Sequence, residues 1–157
     1  MTKFTYGNRD HLLVNDDFSN GDTIVVGNGN YDFVSAAQSI FHAITLGNGG
    51  GDTVSANGPG HNNTISLGNG AGDSVTLQDS QLDTITLGNG AGDTVNDNED
   101  ISSKITLGNG AGDVVTTEGG GDTIKLGNGD GDAVYGSKIG ADTISLGDGR
   151  GDTVNFF

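Results

Sequence analysis

Apolar and polar residues alternate in short stretches along almost the whole chain, and the stretches recur. In Thr84-Ile85-Thr86-Leu87 the apolar side chains fall on one face and the hydroxyls on the other, the period-2 pattern of a half-buried strand. A second stretch, Thr94-Val95-Asn96, repeats the alternation after an intervening turn rich in glycine. The isoleucines at the centre of the first kind are Ile24, Ile44, Ile65, Ile85, Ile105, Ile124 and Ile144, so 144 − 24 = 120 residues are covered in six steps, a mean period of 20. One step further back lies Phe4, in FTYGN, which mirrors ITLGN, and Val14 then falls where later valines do.

Each period therefore predicts strand, turn, strand, turn. Such a unit can bury nothing alone, and stacking successive units buries a continuous apolar ladder. The expected fold is all-β: a parallel two-sheet β-solenoid of β-roll type, about eight coils of ~20 residues, with no helix. Residues 1–157 form one domain, in which 1–21 are a degenerate first coil and 22–157 regular repeats. The expected core is Ile24, Val26, Ile44, Leu46, Ile65, Leu67, Ile85, Leu87, Ile105, Leu107, Ile124, Leu126, Ile144 and Leu146 from one sheet. Val34, Val54, Val75, Val95, Val115, Val134 and Val154 line the other. Eight coils at ~4.8 Å spacing make a rod roughly 38 Å long.

The two turns of each coil differ. One is constant: in all seven regular copies, as in Leu67-Gly68-Asn69-Gly70-Ala71-Gly72-Asp73, an Asp falls five residues after the first glycine. The other runs through unrelated sequences such as SANGPGHNN, TLQDSQL and TTEGG and accepts Pro59, so it is expected to be the looser edge.

Composition sharpens this picture. Thirty glycines placed at random would imply disorder, but placed periodically they imply turns. Of 21 acidic residues only Glu99 and Glu118 are Glu, and the preference for Asp suits turns and metal sites rather than helices. A net charge of −15 with six scattered Lys and Arg argues against nucleic acid or an anionic membrane surface as partner. No apolar run is long enough for a secretory h-region at the start or for a membrane span, so no membrane insertion is expected.

Stacking brings Asp32, Asp52, Asp73, Asp93, Asp113, Asp132 and Asp152 into one column. Like charges ~4.8 Å apart repel by roughly 1 kcal/mol in water and about 3.5 kcal/mol at an effective dielectric of 20. Only Arg150 is basic in these turns, so a row of divalent cations is the expected neutraliser. Hard oxygen donors with glycine carbonyls nearby favour several Ca²⁺ ions. Cys is absent, and His11, His42 and His61, too few for zinc or copper, read as surface or turn residues. The asparagines Asn28, Asn48, Asn69, Asn89, Asn109 and Asn128, with Asp148 in the last copy, either add a ligand oxygen or form an Asx-type ladder. A second column, Asp22, Asp83, Asp122 and Asp142, is interrupted by His42, Asn63 and Ser103 and has fewer possible sites.

The segment Gly88-Asn89-Gly90-Ala91-Gly92-Asp93-Thr94-Val95-Asn96 resembles the glycine-Asp nonapeptide G-G-x-G-x-D-x-U-x of RTX (repeat-in-toxin) calcium-binding proteins, and the similarity extends over residues 22–157. The glycines here stand one, three and five residues before Asp, where that pattern has them two, four and five before it. The resemblance implies a β-roll that folds as calcium binds between adjacent turns through the first Asp column and glycine carbonyls. It also implies export by a type I system without an N-terminal signal peptide, read from a C-terminal signal such as Asp152-Thr153-Val154-Asn155-Phe156-Phe157, to an extracellular or cell-surface location.

The aromatics cluster at the two ends, from Phe4 to Phe41 and from Tyr135 to Phe157. Apolar end coils suggest head-to-tail stacking of copies into an open filament. The expected function is a secreted, calcium-binding structural protein that self-assembles into filaments. The competing function is a monomeric calcium-dependent surface adhesin, or an ice-binding module using outward Thr such as Thr64 and Thr84. No nucleophile with a base partner and no phosphate loop leading into a helix emerges, so an enzyme is not expected.

Overall fold

A computed structural model describes residues 1–38, 40–59, 62–98 and 101–157. His61 and Glu99, singled out in the sequence, lie outside the described residues.

Sixteen short strands and, among the described residues, no helix build the chain. The first eight are β1 (Lys3–Thr5), β2 (Leu13–Asn15), β3 (Thr23–Val25), β4 (Phe33–Ser35), β5 (Ala43–Thr45), β6 (Thr53–Asn57), β7 (Thr64–Ser66) and β8 (Ser74–Gln78). The second eight are β9 (Thr84–Thr86), β10 (Thr94–Asn98), β11 (Lys104–Thr106), β12 (Val114–Thr117), β13 (Thr123–Lys125), β14 (Ala133–Gly136), β15 (Thr143–Ser145) and β16 (Thr153–Phe156). Odd strands form one eight-stranded sheet in chain order and even strands form another. All pairings are parallel and in the register the repeat demands: Ile65 lies beside Ile85, and Val75 beside Val95. The fold is the two-sheet parallel β-solenoid expected from the periodicity. The first coil belongs to the same stack, with Phe4 beside Ile24 and Val14 beside Val34.

The core is the expected ladder. The isoleucines from Ile24 to Ile124 and the valines from Val34 to Val134 are essentially inaccessible. In the last coil Ile144 and Leu146 are half-buried and Val154 is 37% exposed, since no coil lies over them. One row was missed: the even strands of the middle coils run two or three residues beyond their valine, and the second of these positions buries Ala56, Leu77, Asp97 and Thr117. Leu77 in TLQDSQL and Asp97 in NDNED belong to stretches that read as loose turn, so their alternation was obscured.

Candidate metal-binding edge

In the constant turn, stacking dictates the glycines. At Gly49, Gly70, Gly90, Gly110, Gly129 and Gly149 a Cβ would lie 1.5 to 1.7 Å from the carbonyl oxygen of the corresponding glycine one coil earlier, so no side chain fits. The glycine just before Asp has a different reason: Gly72, Gly92 and Gly112 face open space but hold φ of 73 to 75°, the left-handed region. In the first two coils that position is occupied by His11 and Tyr31, both at φ 58°. Their rings stack with centroids 5.4 Å apart, and the left-handed backbone costs roughly 1–2 kcal/mol per residue.

The left-handed residue turns the next side chain inward. Asp32, Asp52, Asp73, Asp93, Asp113 and Asp132 are buried at 0 to 1% exposure, and Asp152 in the last coil is half-buried. Each carboxylate accepts the backbone N–H of the equivalent residue one coil earlier. Leu12 N–H donates to Asp32 Oδ1 at 2.8 Å, Asp32 N–H to Asp52 Oδ1 at 2.9 Å, and the links from Asp52 to Asp152 are all 3.0 Å. The second oxygen, Oδ2, of Asp32, Asp52, Asp73, Asp93, Asp113 and Asp132 is buried without a hydrogen-bond partner.

Burial pushes four of these carboxyls up. Asp73 rises to about 7 and Asp113 to about 6, desolvation outweighing the backbone hydrogen bond each accepts, with neighbouring carboxylates adding to the rise. Asp52 and Asp93 shift upward for the same leading reason. In six coils the column carboxyl thus has one oxygen bonded to the coil before and the other buried without a hydrogen-bond partner.

Outside this column runs an asparagine ladder on the surface. Asn48 N–H donates to Asn28 Oδ1 at 2.8 Å, and the rows continue through Asn69, Asn89, Asn109 and Asn128 to Asp148. Nδ2 of Asn69, Asn89 and Asn109 donates to the same oxygens. The ladder named as one of the two alternatives is present along the whole row.

Among the described residues the opposite edge also repeats one backbone feature from coil to coil, although its sequences are unrelated. Gly21, Phe41, Asn62, Leu82, Ser102 and Gly121 all hold left-handed φ, between 59 and 82°. All but Ser102 precede an inward side chain that receives a backbone N–H from the coil before. Thr2 donates to Asp22, Asp22 to His42 Nδ1 at 3.4 Å, His42 to Asn63 Oδ1 at 3.0 Å, and Asn63 to Asp83 Oδ1 at 2.6 Å. Ser103 then donates to Asp122 at 2.9 Å and Asp122 to Asp142 at 3.1 Å. His42 and Asn63 therefore continue the ladder rather than interrupt it, while Ser103 Oγ is buried without a partner. His42 is not a surface residue: it is 1% exposed, with Nε2 3.2 Å from Ser19 Oγ and 3.4 Å from Asp16 Oδ2. The hydrogen bond from Thr2, ahead of contacts with Ser19, the chain's amino group and His42, holds Asp22 below the ordinary carboxylate range. Asp83 is bonded to Ser80.

The structure thus brings every column Asp into line, and no group of three or more His, Cys, Asp or Glu converges among the described residues. An ion at the constant edge would draw on successive carboxylates of the column and on glycine carbonyls. The unpartnered Oδ2 row supplies hard anionic donors of the kind calcium takes. No family model, no curated protein and no solved structure matches the chain.

Proposed function

We propose that the chain is a secreted structural rod that binds calcium along its constant edge and is stabilised by it. The observation that carries this reading is the row of six buried Oδ2 atoms with no protein partner. The coil spacing of ~4.8 Å is about twice a ~2.4 Å calcium–oxygen bond, the separation at which two carboxylates share an ion. Asp32, Asp52, Asp73, Asp93, Asp113, Asp132 and Asp152 would hold the ions, which would neutralise the column. At the opposite edge Asp22 and Asp83 have protein partners and a His and an Asn serve in the same row, but Asp142 also holds a buried Oδ2 without a partner, so that edge would offer fewer sites. The RTX-like repeat supports export in an unfolded form and folding outside the cell, since a site assembled only by stacking makes binding and folding one event.

Calcium titration of the chelator-treated chain, followed by circular dichroism and calorimetry, tests the reading. Saturable uptake of several ions with a gain of β structure or thermal stability is expected. A chain equally folded and equally stable with and without calcium would overturn it.

A second reading, a monomeric adhesin or ice-binding face, draws on the outer rows of the odd sheet, where Thr64 lies beside Thr84 and Ser66 beside Thr86. Lys104 and Lys125 interrupt these rows. A thermal-hysteresis assay separates the ice-binding form from the structural one. The head-to-tail filament expected from the sequence requires coil 8 of one copy to receive coil 1 of the next.

A further inference from the structure

Two residues of the first coil stand in rows where every later coil carries something else. The row that begins at Arg9 continues Gly29, Gly49, Gly70, Gly90, Gly110, Gly129 and Gly149. In all seven glycines a Cβ would lie 1.5 to 1.8 Å from the carbonyl oxygen one coil earlier. Arg9 has a real Cβ. The row that begins at Leu12 continues through the seven column aspartates, each of which accepts the N–H of the coil before it. Leu12 donates like the others but has no oxygen with which to accept.

We propose that the first coil is a stop, in which Arg9 and Leu12 prevent the last coil of a second copy from stacking beneath it in the register used inside the rod. In that register the Arg9 Cβ would run into the Gly149 carbonyl, and the N–H of Asp152 would be covered by Leu12 without an acceptor. Several other rows of the two end faces match, while Thr2 and Asp16 begin the rows that end in Asp142 and Phe156. Asn8 and Asp148 belong to one ladder, in which Asn8 accepts from Asn28 and Asp148 donates to Asn128. Asp10 and Arg150 share another row and carry opposite charges. Phe4, Tyr6 and Leu12 at one end and Ile144 and Leu146 at the other are apolar and only partly covered. End-to-end growth is therefore opposed by Arg9 and Leu12 on a joint that is complementary in its asparagine, charged and apolar rows. The inference rests on the rod reading above and does not depend on calcium.

The test is the double variant Arg9→Gly/Leu12→Asp, compared with the unmodified chain by sedimentation velocity and electron microscopy. Single rods are expected for the unmodified chain, and rods several copies long, growing with concentration, for the variant. On the Arg9→Gly background, adding Leu12→Asp supplies the missing acceptor and should raise the association constant roughly 5- to 150-fold. Filaments from the unmodified chain, or a double variant with the parent's circular dichroism that stays a single rod, would overturn the proposal. Should the double variant not fold, Arg9→Gly alone decides: any concentration-dependent lengthening supports the stop, and none counts against it. Calcium uptake measured on the same samples keeps the two readings apart, because polymerisation of the variant without calcium binding sinks the calcium reading and leaves the stop standing.

Discussion

The backbone N–H of Asp73 donates to Oδ1 of Asp93 at 3.0 Å, while Oδ2 of Asp93 is buried with no partner. In six of the seven column carboxylates one oxygen locks two coils together and the other is left without a partner in the chain. This division lets the structural and ligand roles be separated by substitution. Asp93→Asn keeps the accepting Oδ1 and removes the charge, so the calcium-free chain should be as stable as the parent or more stable at pH 8. Its calcium stoichiometry should fall. Asp93→Ala also strands the Asp73 N–H and should cost about 1–3 kcal/mol with or without calcium. Chemical denaturation in chelator and in excess calcium reads both effects.

The raised carboxyls predict an inverted pH response for the calcium-free chain. Asp73 and Asp113 titrate near 7 and 6 when folded, against 3.8 when unfolded, so the folded state binds protons more tightly. Their contribution is complete below the unfolded value and is lost as pH rises through 6 to 7. Thermal scans in chelator should therefore show the Tm falling between pH 5 and pH 8. Saturating calcium, which takes the ionised form, should flatten or reverse the trend; a chelated chain whose Tm rises over this interval would contradict the burial argument.

Two glycines two residues apart should respond differently to alanine. Gly90→Ala drives a Cβ to 1.6 Å from the Gly70 carbonyl and should cost about 3 kcal/mol or more, because backbone rather than a side chain must move. Gly92→Ala meets open space and suffers only the left-handed φ of 73°, about 1–2 kcal/mol. Denaturation midpoints of the pair order the two effects.

At the opposite edge, His42 does the work that Asn63 does one coil later. His42→Asn should therefore retain an acceptor for the Asp22 N–H at the cost of some packing. His42→Ala removes both and should destabilise the chain by about 2 kcal/mol or more. Equal stability of the two variants would show that the ladder contact at His42 contributes nothing.

Much of the molecule is written in its periodicity. Alternation of Thr with Ile and Val, repeated every coil, determines the strands, the two sheets and the core, because a period-2 strand with one apolar face has only stacking as a way to bury it. The inward column of aspartates follows from the same repeat. Residues such as Leu77, Asp97 and His42 were not legible, since their neighbours vary from coil to coil and no local pattern marks them as buried. Burial there comes from register with the coils on either side, which no single window of sequence contains.

The sequence by itself determined the coil, its period and the residues that share each row. The tertiary structure decided what each atom in a row does. Close approach of backbones accounts for one glycine and left-handed φ for another; Asn28 to Asn128 proved to be a ladder; His42 and Asn63 could take the place of Asp. It also decided that one oxygen of six of the seven column aspartates has no partner. These are distances between coils 20 residues apart in the chain, and they exist only once the coils are stacked.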